Sequence, residues 1–220
     1  MSEIKVVTDI LKANDEIHSL NRKKLDEKKV YVLNVMSSPG SGKTTILEKI
    51  ISKLKVDIKI AVIEGDPYTS LDARRIEAKG VPVVQINTGG ACHLDANMIR
   101  NAMDTINLNE IELLIVENVG NLVCPAEFDI GEDIKVTVMS TTEGTYKPLK
   151  CPLAFEKSGV VILNKIDLVE YTNFDTAEFY KNVRLLNDKS IIFETSCTQD
   201  VGLDELCFWL KNKVREKQNE

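Results

Sequence analysis

The chain has 220 residues, 43% of them hydrophobic, which is enough for one large core at the upper end of single-domain size. Its 28 basic and 34 acidic residues give a net charge of −6, which argues against nucleic acid as a partner, because binding a phosphate backbone needs a basic face. The amino end lacks an apolar signal region and no later apolar run reaches membrane-spanning length, so we predict a soluble, cytoplasmic protein without membrane contact.

The first part of the chain has a helical pattern. Between residues 4 and 28, apolar side chains recur at loosely helical spacing among many charged ones, which predicts one or two amphipathic helices. We expect residues 1–28 to form a helical extension packed on the core, and residues 29–220 to form the main domain. The alternative role of the extension is contact with a partner.

Residues 30–47 form an apolar strand, a glycine-rich turn and the start of a helix. The backbone N–H groups of such a turn and the positive end of the helix dipole bind polyphosphate. The turn follows the phosphate-loop (P-loop) pattern G-x-x-x-x-G-K-[ST], except that Ser37 replaces the first glycine. We expect Lys43 to reach the β- and γ-phosphates and the Thr44 hydroxyl to bind Mg²⁺. The predicted nucleotide-binding residues here are Ser38, Pro39, Gly40, Ser41, Gly42, Lys43, Thr44 and Thr45.

Strands alternate with helices over the rest of the chain. Strands are predicted at 57–66, 81–86, 111–120, 135–139, 160–163 and 190–193, and helices at 71–79, 94–106, 174–186 and 203–215. This alternation predicts an α/β, doubly wound fold of the P-loop type, whose mostly parallel sheet is covered by helices on both faces. Because ligands of such folds bind at the carboxyl ends of strands, the polar residues at those ends are the candidate functional residues.

Two acidic strand ends can serve nucleotide hydrolysis, which needs Mg²⁺, a positioned water and a group that senses the γ-phosphate. Asp66 ends one strand, and we predict that it positions the water and contacts Mg²⁺ through its hydration shell. Glu117 lies near the end of another, three residues before Gly120, and is a predicted Mg²⁺ ligand. The N–H of Gly120 is expected to bind the γ-phosphate, so that its loop is ordered by the triphosphate. The predicted catalytic residues are Lys43, Asp66 and Glu117, and the alternative for each carboxylate is a helix cap or a solvated loop residue.

The tetrad Asn164-Lys165-Ile166-Asp167 follows another strand. The Asp167 carboxylate can accept hydrogen bonds from the N1–H and 2-amino groups of guanine, a pair of donors that adenine lacks. We expect Asn164 and Lys165 to tie this loop to the phosphate loop. Ser196 and Cys197, after the next strand, are predicted to contact the base. The tetrad therefore favours GTP and GDP as the nucleotides.

The five cysteines are an odd number and widely spread, which argues against a disulfide framework. Cys92 and His93 lie in one strand-end loop and Cys124 in another, and thiolate with imidazole suits Ni²⁺ or Zn²⁺. Because a closed structural site takes four ligands, either this site is open and transfers metal or two chains share ligands. Both readings predict dimerisation or metal release that depends on GTP. The alternative is that both thiols are small buried side chains and that His93 begins a helix.

Several of these stretches together closely resemble the HypB family, the nickel-incorporation GTPases of [NiFe]-hydrogenase maturation. They are residues 38–45, 64–66, 88–94, 117–125 (ENVGNLVCP), 142–144 with 147–150, and 164–167. The resemblance spans about residues 30–210 and implies a P-loop GTPase domain over residues 29–220, of the SIMIBI class.

The resemblance also implies a GTP-dependent homodimer and a metal site for Ni²⁺ or Zn²⁺ formed by Cys92, His93 and Cys124. The implied partners are a small zinc-containing nickel chaperone and the hydrogenase large subunit. Many relatives add a cysteine motif or a histidine-rich tract at the N-terminus, but residues 1–29 contain only His18 among such ligands. The metal function should therefore rest on the three-residue site.

The leading hypothesis is a GTP-hydrolysing metallochaperone that couples nucleotide-dependent dimerisation and metal binding to nickel insertion into [NiFe]-hydrogenase. One alternative is a urease-type nickel maturation GTPase. A second is a P-loop small-molecule kinase, which leaves the tetrad unexplained, and a third is a structural, zinc-bridged dimer that keeps its metal in every nucleotide state. Lys147 and Lys150, in a predicted loop, could reach the nucleotide or a second subunit.

Overall fold

The structure is a computed structural model that describes residues 6–220, with only the backbone of residues 6–10. Residues 1–5 of the predicted extension lie outside the described residues. Seven strands form one sheet in the order β3-β2-β4-β1-β5-β6-β7, and every pairing between neighbours is parallel. The strands are β1 (Tyr31–Ser37), β2 (Ile60–Asp66), β3 (Val83–Asn87), β4 (Leu113–Gly120), β5 (Ile134–Ser140), β6 (Val160–Asn164) and β7 (Ile191–Thr195).

Helices connect the strands and cover both faces of the sheet, which confirms the predicted fold class. They are α1 (Val6–Glu27), α2 (Lys43–Leu54), α3 (Leu71–Glu77), α4 (Ala96–Met103), α5 (Cys124–Glu127), α6 (Lys147–Lys150), α7 (Pro152–Lys157), α8 (Thr176–Leu186) and α9 (Leu203–Gln218). Short 3₁₀ turns add Leu108–Glu110, Thr141–Glu143 and Ile166–Tyr171. None of the helices within residues 6–220 has both the length and the apolar character needed to cross a bilayer.

The central strands are buried on both faces, which explains their continuous apolar runs. All residues of β1 are buried, and α2 and α9 cover one face of the sheet with residues such as Leu47 and Leu210. The opposite face is covered by α1 and α4 near β2 and β4, and by α7 and α8 near β5 and β6. β1 lies between β4 and β5, so that β2, β3 and β4 form the sheet on one side of it and β5, β6 and β7 on the other. A ligand crevice is expected at this topological switch point.

Helix α1 is a single helix in the described residues and packs against α4. The amide of Asn21, a buried side chain, donates to the carbonyls of Ala96 and Ile130 at 2.8 and 3.0 Å. The side-chain oxygen of Asn14 accepts the N–H of Ala96, the first residue of α4, at 2.8 Å. The bond from Ala96 satisfies an N–H group that a helix start leaves open. The division into an extension and a separate domain stays a prediction.

One predicted loop is wrong. Residues 147–150 form the one-turn helix α6, with Pro148 in its first turn, where the missing N–H of proline is not needed. The Lys147 ammonium forms an ion pair with Glu143 at 3.2 Å. Lys147 therefore already has a partner within its own segment.

Candidate functional site

A cavity of about 560 Å³ lies at the carboxyl end of β1, where the phosphate loop connects this strand to α2. Gly40 and Gly42 of the loop have positive φ angles, 76° and 96°. A Cβ on Gly42 would lie 2.4 Å from the side-chain nitrogen of Asn164, so only glycine fits there. Ser37, which replaces the usual first glycine, is the last residue of β1 and is buried. Its place in the strand explains why a side chain is accepted at that position.

Glu117 on β4 faces the phosphate loop and receives two hydrogen bonds from it. The Thr44 hydroxyl donates to Glu117 Oε1 at 2.6 Å, and the Lys43 ammonium donates to the same oxygen at 3.0 Å. The other oxygen, Oε2, is buried and has no partner. The predicted Mg²⁺ residues Thr44 and Glu117 are thus in contact with each other.

Glu64 on β2 is the residue that the sequence analysis missed. It lies directly opposite Glu117 in the register of β2 and β4, is 2% exposed, and its Oε2 also has no partner. Burial, followed by the charge of Glu117, raises the pKa of Glu64 to about 8. The motif at 64–66 contains this carboxylate, but nothing local signals that it is buried.

Together these residues fit Mg²⁺. The ion prefers oxygen ligands, usually one or two carboxylates with water and substrate phosphates. Glu64 and Glu117 each keep one buried carboxylate oxygen without a partner, and the Thr44 hydroxyl lies beside them. A divalent cation would also favour the ionised form of Glu64.

Asp66 and Gly120 line the same cavity. The Asp66 carboxylate accepts the N–H groups of Tyr68 and Thr69 at 2.7 and 2.6 Å, so it closes the turn after β2. The sequence left open a helix cap or a solvated loop residue as the alternative to a catalytic role, and these bonds place the Asp66 carboxylate in the loop after β2. Gly120 is the last residue of β4, and a Cβ there would lie 3.2 Å from the Pro39 ring. Their roles toward water and γ-phosphate stay predictions.

The tetrad at the end of β6 contacts the phosphate loop as expected. The Asn164 amide donates to the Ser41 carbonyl at 2.9 Å, and the Lys165 ammonium donates to the Gly40 carbonyl at 2.7 Å. Because backbone carbonyls accept both bonds, the two loops have a fixed relative position. One nucleotide could therefore bind with its base at the tetrad and its phosphates at the phosphate loop.

The Asp167 carboxylate is positioned by the loop after β7. Ser196 and Thr198 donate their hydroxyls to it at 2.5 and 3.2 Å. The Ser196 bond is the largest cause of its lowered pKa, so Asp167 is an anion at neutral pH. Cys197 lies beside the tetrad, with its Sγ 3.9 Å from Asn164 Oδ1. Ser196 thus orients Asp167, which is predicted to bind the guanine base. Thr198 makes a similar contact and was not among the predicted site residues.

Cys92, His93 and Cys124 converge although they come from two loops. Their ligand atoms all lie within 4.8 Å of one another, with 2.7 Å between the two Sγ atoms and 3.7 Å from Cys92 Sγ to His93 Nδ1. They form the one such group of three in the described part of the chain. Cys92 is exposed and Cys124 half-buried, so the alternative that both thiols are buried core residues is wrong.

The surroundings of this group suit metal binding. The His93 ring stacks on Phe128 with centroids 4.0 Å apart, and burial lowers the pKa of His93, which favours the neutral imidazole that binds metals. The hydrogen bond with Cys92, followed by burial, raises the pKa of the Cys124 thiol, which favours its protonated form, whereas a bound metal ion would favour the thiolate. The Asn121 side chain donates to the Cys92 carbonyl at 3.3 Å and accepts the N–H of Val123 at 2.8 Å. The two metal-site loops are therefore hydrogen-bonded to each other.

Comparisons with known proteins find one family over most of the chain. The family model described as CobW/HypB/UreG, nucleotide-binding domain, matches residues 31–194. The hydrogenase maturation factor HypB of Escherichia coli K12 is 45% identical over 210 residues, which cover 96% of this chain and 72% of the relative. The hydrogenase/urease maturation factor HypB of Helicobacter pylori is 40% identical, over 97% of this chain and 89% of the relative.

Solved structures show the same likeness. The crystal structure of HypB from Helicobacter pylori in complex with nickel matches with a TM-score of 0.88 and 40% identity, covering 93% of this chain and 96% of the other. The signal recognition particle 54 kDa protein of Aeropyrum pernix, in complex with GDP, matches with a TM-score of 0.58 at 16% identity, covering 76% of this chain and 42% of the other. The latter supports the SIMIBI fold alone. The chain therefore belongs to the HypB family, within the P-loop nucleotide-hydrolysing proteins that the CobW/HypB/UreG model describes.

Proposed function

We propose that this chain is a GTP-hydrolysing metallochaperone that couples nucleotide-dependent dimerisation and metal binding to nickel insertion into [NiFe]-hydrogenase. The observation that carries the proposal is the path of one strand. β4 places Glu117 against the phosphate loop, ends at Gly120, and continues directly into α5, whose first residue is Cys124. A change at the phosphates therefore acts on a segment that also holds a metal ligand.

The nucleotide half of the proposal rests on the two loops joined by Asn164 and Lys165. Asp167 reads guanine, Lys43 donates to the β- and γ-phosphates, and Gly120 N–H contacts the γ-phosphate. Mg²⁺, when bound by Thr44, Glu117 and Glu64, would neutralise the charge that develops on the transferred phosphoryl group. Asp66, which lines the same cavity, is the candidate for positioning the attacking water.

The metal half rests on the convergence of Cys92, His93 and Cys124. Two thiolates and an imidazole accept Ni²⁺ or Zn²⁺, and an open site with three protein ligands can receive and release an ion. Ordering of the Gly120 loop by GTP would move Cys124 relative to the other two ligands. We propose that this movement, in a GTP-dependent homodimer, decides when nickel passes between a small zinc-containing chaperone and the hydrogenase large subunit.

A second candidate client is urease, because the relative in Helicobacter pylori is named a hydrogenase/urease maturation factor. Recovery of urease apoprotein in a pull-down with this chain would favour that client. The kinase alternative finds no support in the family to which the chain belongs. The structural-dimer alternative predicts the same metal content with GDP and with GTP. That the protein acts in the cytoplasm stays a prediction.

The test compares two nucleotide states of the full chain. The Ni²⁺ and Zn²⁺ affinities and the particle mass are measured with GDP and then with the non-hydrolysable analogue GMPPNP, both with Mg²⁺. We expect a dimer with GMPPNP and a metal affinity that differs between the states by about fivefold or more, the usual lower range of coupling between two sites. Equal affinities in both states would refute the coupling and leave a plain GTPase.

A further inference from the structure

Asn118, the residue after Glu117, touches both sites. Its backbone carbonyl accepts a hydrogen bond from the Lys43 ammonium at 2.6 Å. Its side-chain oxygen accepts the N–H of Leu94 at 3.0 Å, and Leu94 directly follows His93. The side chain of Asn118 is 0% exposed, so water does not replace these partners. One buried residue thus links the phosphate-loop lysine to the loop that carries two metal ligands.

The same side chain begins a second buried path. The Asn118 amide donates to Asn34 on β1 at 3.1 Å, and the Asn34 amide donates to Glu132 at 3.1 Å. Glu132 forms an ion pair with Lys135 at 2.7 Å, and the Lys135 ammonium donates to the Phe128 carbonyl at 2.8 Å. Phe128 is the residue whose ring stacks on the metal-site imidazole. Both the backbone beside this imidazole and its stacking partner are therefore connected to Asn118.

A lysine ammonium has three N–H donors. In Lys43, two of them are used by Glu117 and Asn118, and the remaining donor is available for a phosphate oxygen. The Lys43 ammonium would therefore contact both a bound phosphate and the end of β4. A change in the number or position of the phosphates changes how strongly Lys43 holds the Asn118 carbonyl.

On the basis of the proposed function, we propose that Asn118 is the positioning residue that couples the nucleotide to the metal site. Its side-chain oxygen holds the loop that contains Cys92 and His93. The Asn118 side chain acts on the metal site through the Leu94 backbone. Asn118 accepts hydrogen bonds both from Lys43 of the phosphate loop and from Leu94 in the loop that contains Cys92 and His93. The coupling then requires an acceptor oxygen at position 118, and the amide nitrogen has a secondary role.

The test measures coupling and leaves activity aside. The Ni²⁺ dissociation constant is determined with GDP and with GMPPNP, and the ratio of the two constants is compared among the parent, Asn118→Ala and Asn118→Asp. The alanine variant should bring the ratio to within about twofold of one, from a parent ratio of about fivefold or more. The aspartate variant keeps an oxygen facing Leu94 N–H and should retain most of the parent ratio.

Asn182→Ala is the matched control, because Asn182 is also a buried asparagine but lies on α8 and hydrogen-bonds neither loop. A purely structural role of Asn118 would alter both dissociation constants by the same factor and leave their ratio unchanged. An unchanged ratio in Asn118→Ala, or an aspartate variant that loses as much coupling as alanine, would overturn the inference. A parent ratio of one would instead refute the proposed function, and with it this role.

A second measurement needs no variant, in case the alanine substitution prevents folding. Hydrogen exchange of the Leu94 amide is followed by NMR in the unmodified chain with GDP and with GMPPNP. If Asn118 couples the sites, protection of this amide should differ between the two nucleotides, because the bond that protects it changes. Equal protection, in a chain whose metal affinity does respond to the nucleotide, would exclude this route.

Discussion

Replacing Glu64 by glutamine should change how the stability of the chain depends on pH. Glu64 is buried opposite Glu117, and burial and that neighbouring charge raise its pKa from an ordinary 4.5 to about 8. The folded chain therefore keeps a proton on Glu64 up to about pH 8, whereas the unfolded chain releases it from pH 4.5 upward. This group stabilises the fold least at high pH, and the loss develops between these two values.

The magnitude follows from the two pKa values of Glu64. Between pH 4.5 and pH 7, ionisation of Glu64 stabilises the unfolded chain by about 1.4 kcal/mol per pH unit, whereas the folded chain is hardly stabilised because Glu64 stays protonated. The parent should therefore lose about 3 kcal/mol of unfolding free energy over this range because of Glu64. Glu64→Gln has no proton to release and should lose none of it at this position.

Urea unfolding at pH 5, 6 and 7, without nucleotide and with a chelator to remove divalent cations, measures this difference. The stability of Glu64→Gln relative to the parent should rise by about 2–3 kcal/mol from pH 5 to pH 7. The control is Glu156→Gln, at an exposed glutamate on α7, whose stability difference from the parent should stay constant. A constant difference for Glu64→Gln as well would show that the carboxylate is not buried against Glu117, and would remove it from the proposed Mg²⁺ site.

Three further substitutions test the site residues. Lys43→Ala removes the ammonium that faces the phosphates and should lower GTP turnover at least about 100-fold, so near-normal turnover would refute the phosphate-loop assignment. Asp167→Asn turns one acceptor into a donor, so GTP binding in a competition assay should weaken about 10- to 100-fold. Xanthosine triphosphate carries a carbonyl in place of the 2-amino group and should bind better to this variant. Unchanged GTP affinity would count against recognition of the guanine base by Asp167. Cys124→Ala should lower the bound nickel per chain in metal analysis of a folded protein, whereas Cys151→Ala, at a cysteine outside the metal group, should not; equal metal content in both variants would exclude Cys124 as a ligand.

Local sequence pattern was sufficient for the larger elements of this fold. The apolar run that becomes β1, the glycine turn after it and the helix that follows are encoded by neighbouring residues, because chain direction and backbone freedom are local properties. Helices α5, α6 and α7 were missed, since four to six residues are too few to show a helical period. Prolines in their first turns were the available signal, and a proline also fits a loop.

The candidate sites depended more on strand order. Asn164 and Lys165 were expected to tie the base loop to the phosphate loop because their motif has that geometry, and both contacts are present. Glu64 was missed because an acidic residue near a strand end is usually solvated. It is buried because β2 pairs with β4, which brings it opposite Glu117.

The sequence by itself determined the phosphate loop, the predicted guanine tetrad and the three candidate metal ligands, because each is a choice of side-chain chemistry at a short spacing. Only the tertiary structure decided that Cys92 and His93 meet Cys124, that the buried carboxylates of Glu64 and Glu117 lie on directly paired positions of β2 and β4, and that Asn118 contacts both loops. These facts depend on which strands are neighbours and which side chains lose water, and the free energy of burying a charge or a hydrogen bond is set by groups that are distant along the chain.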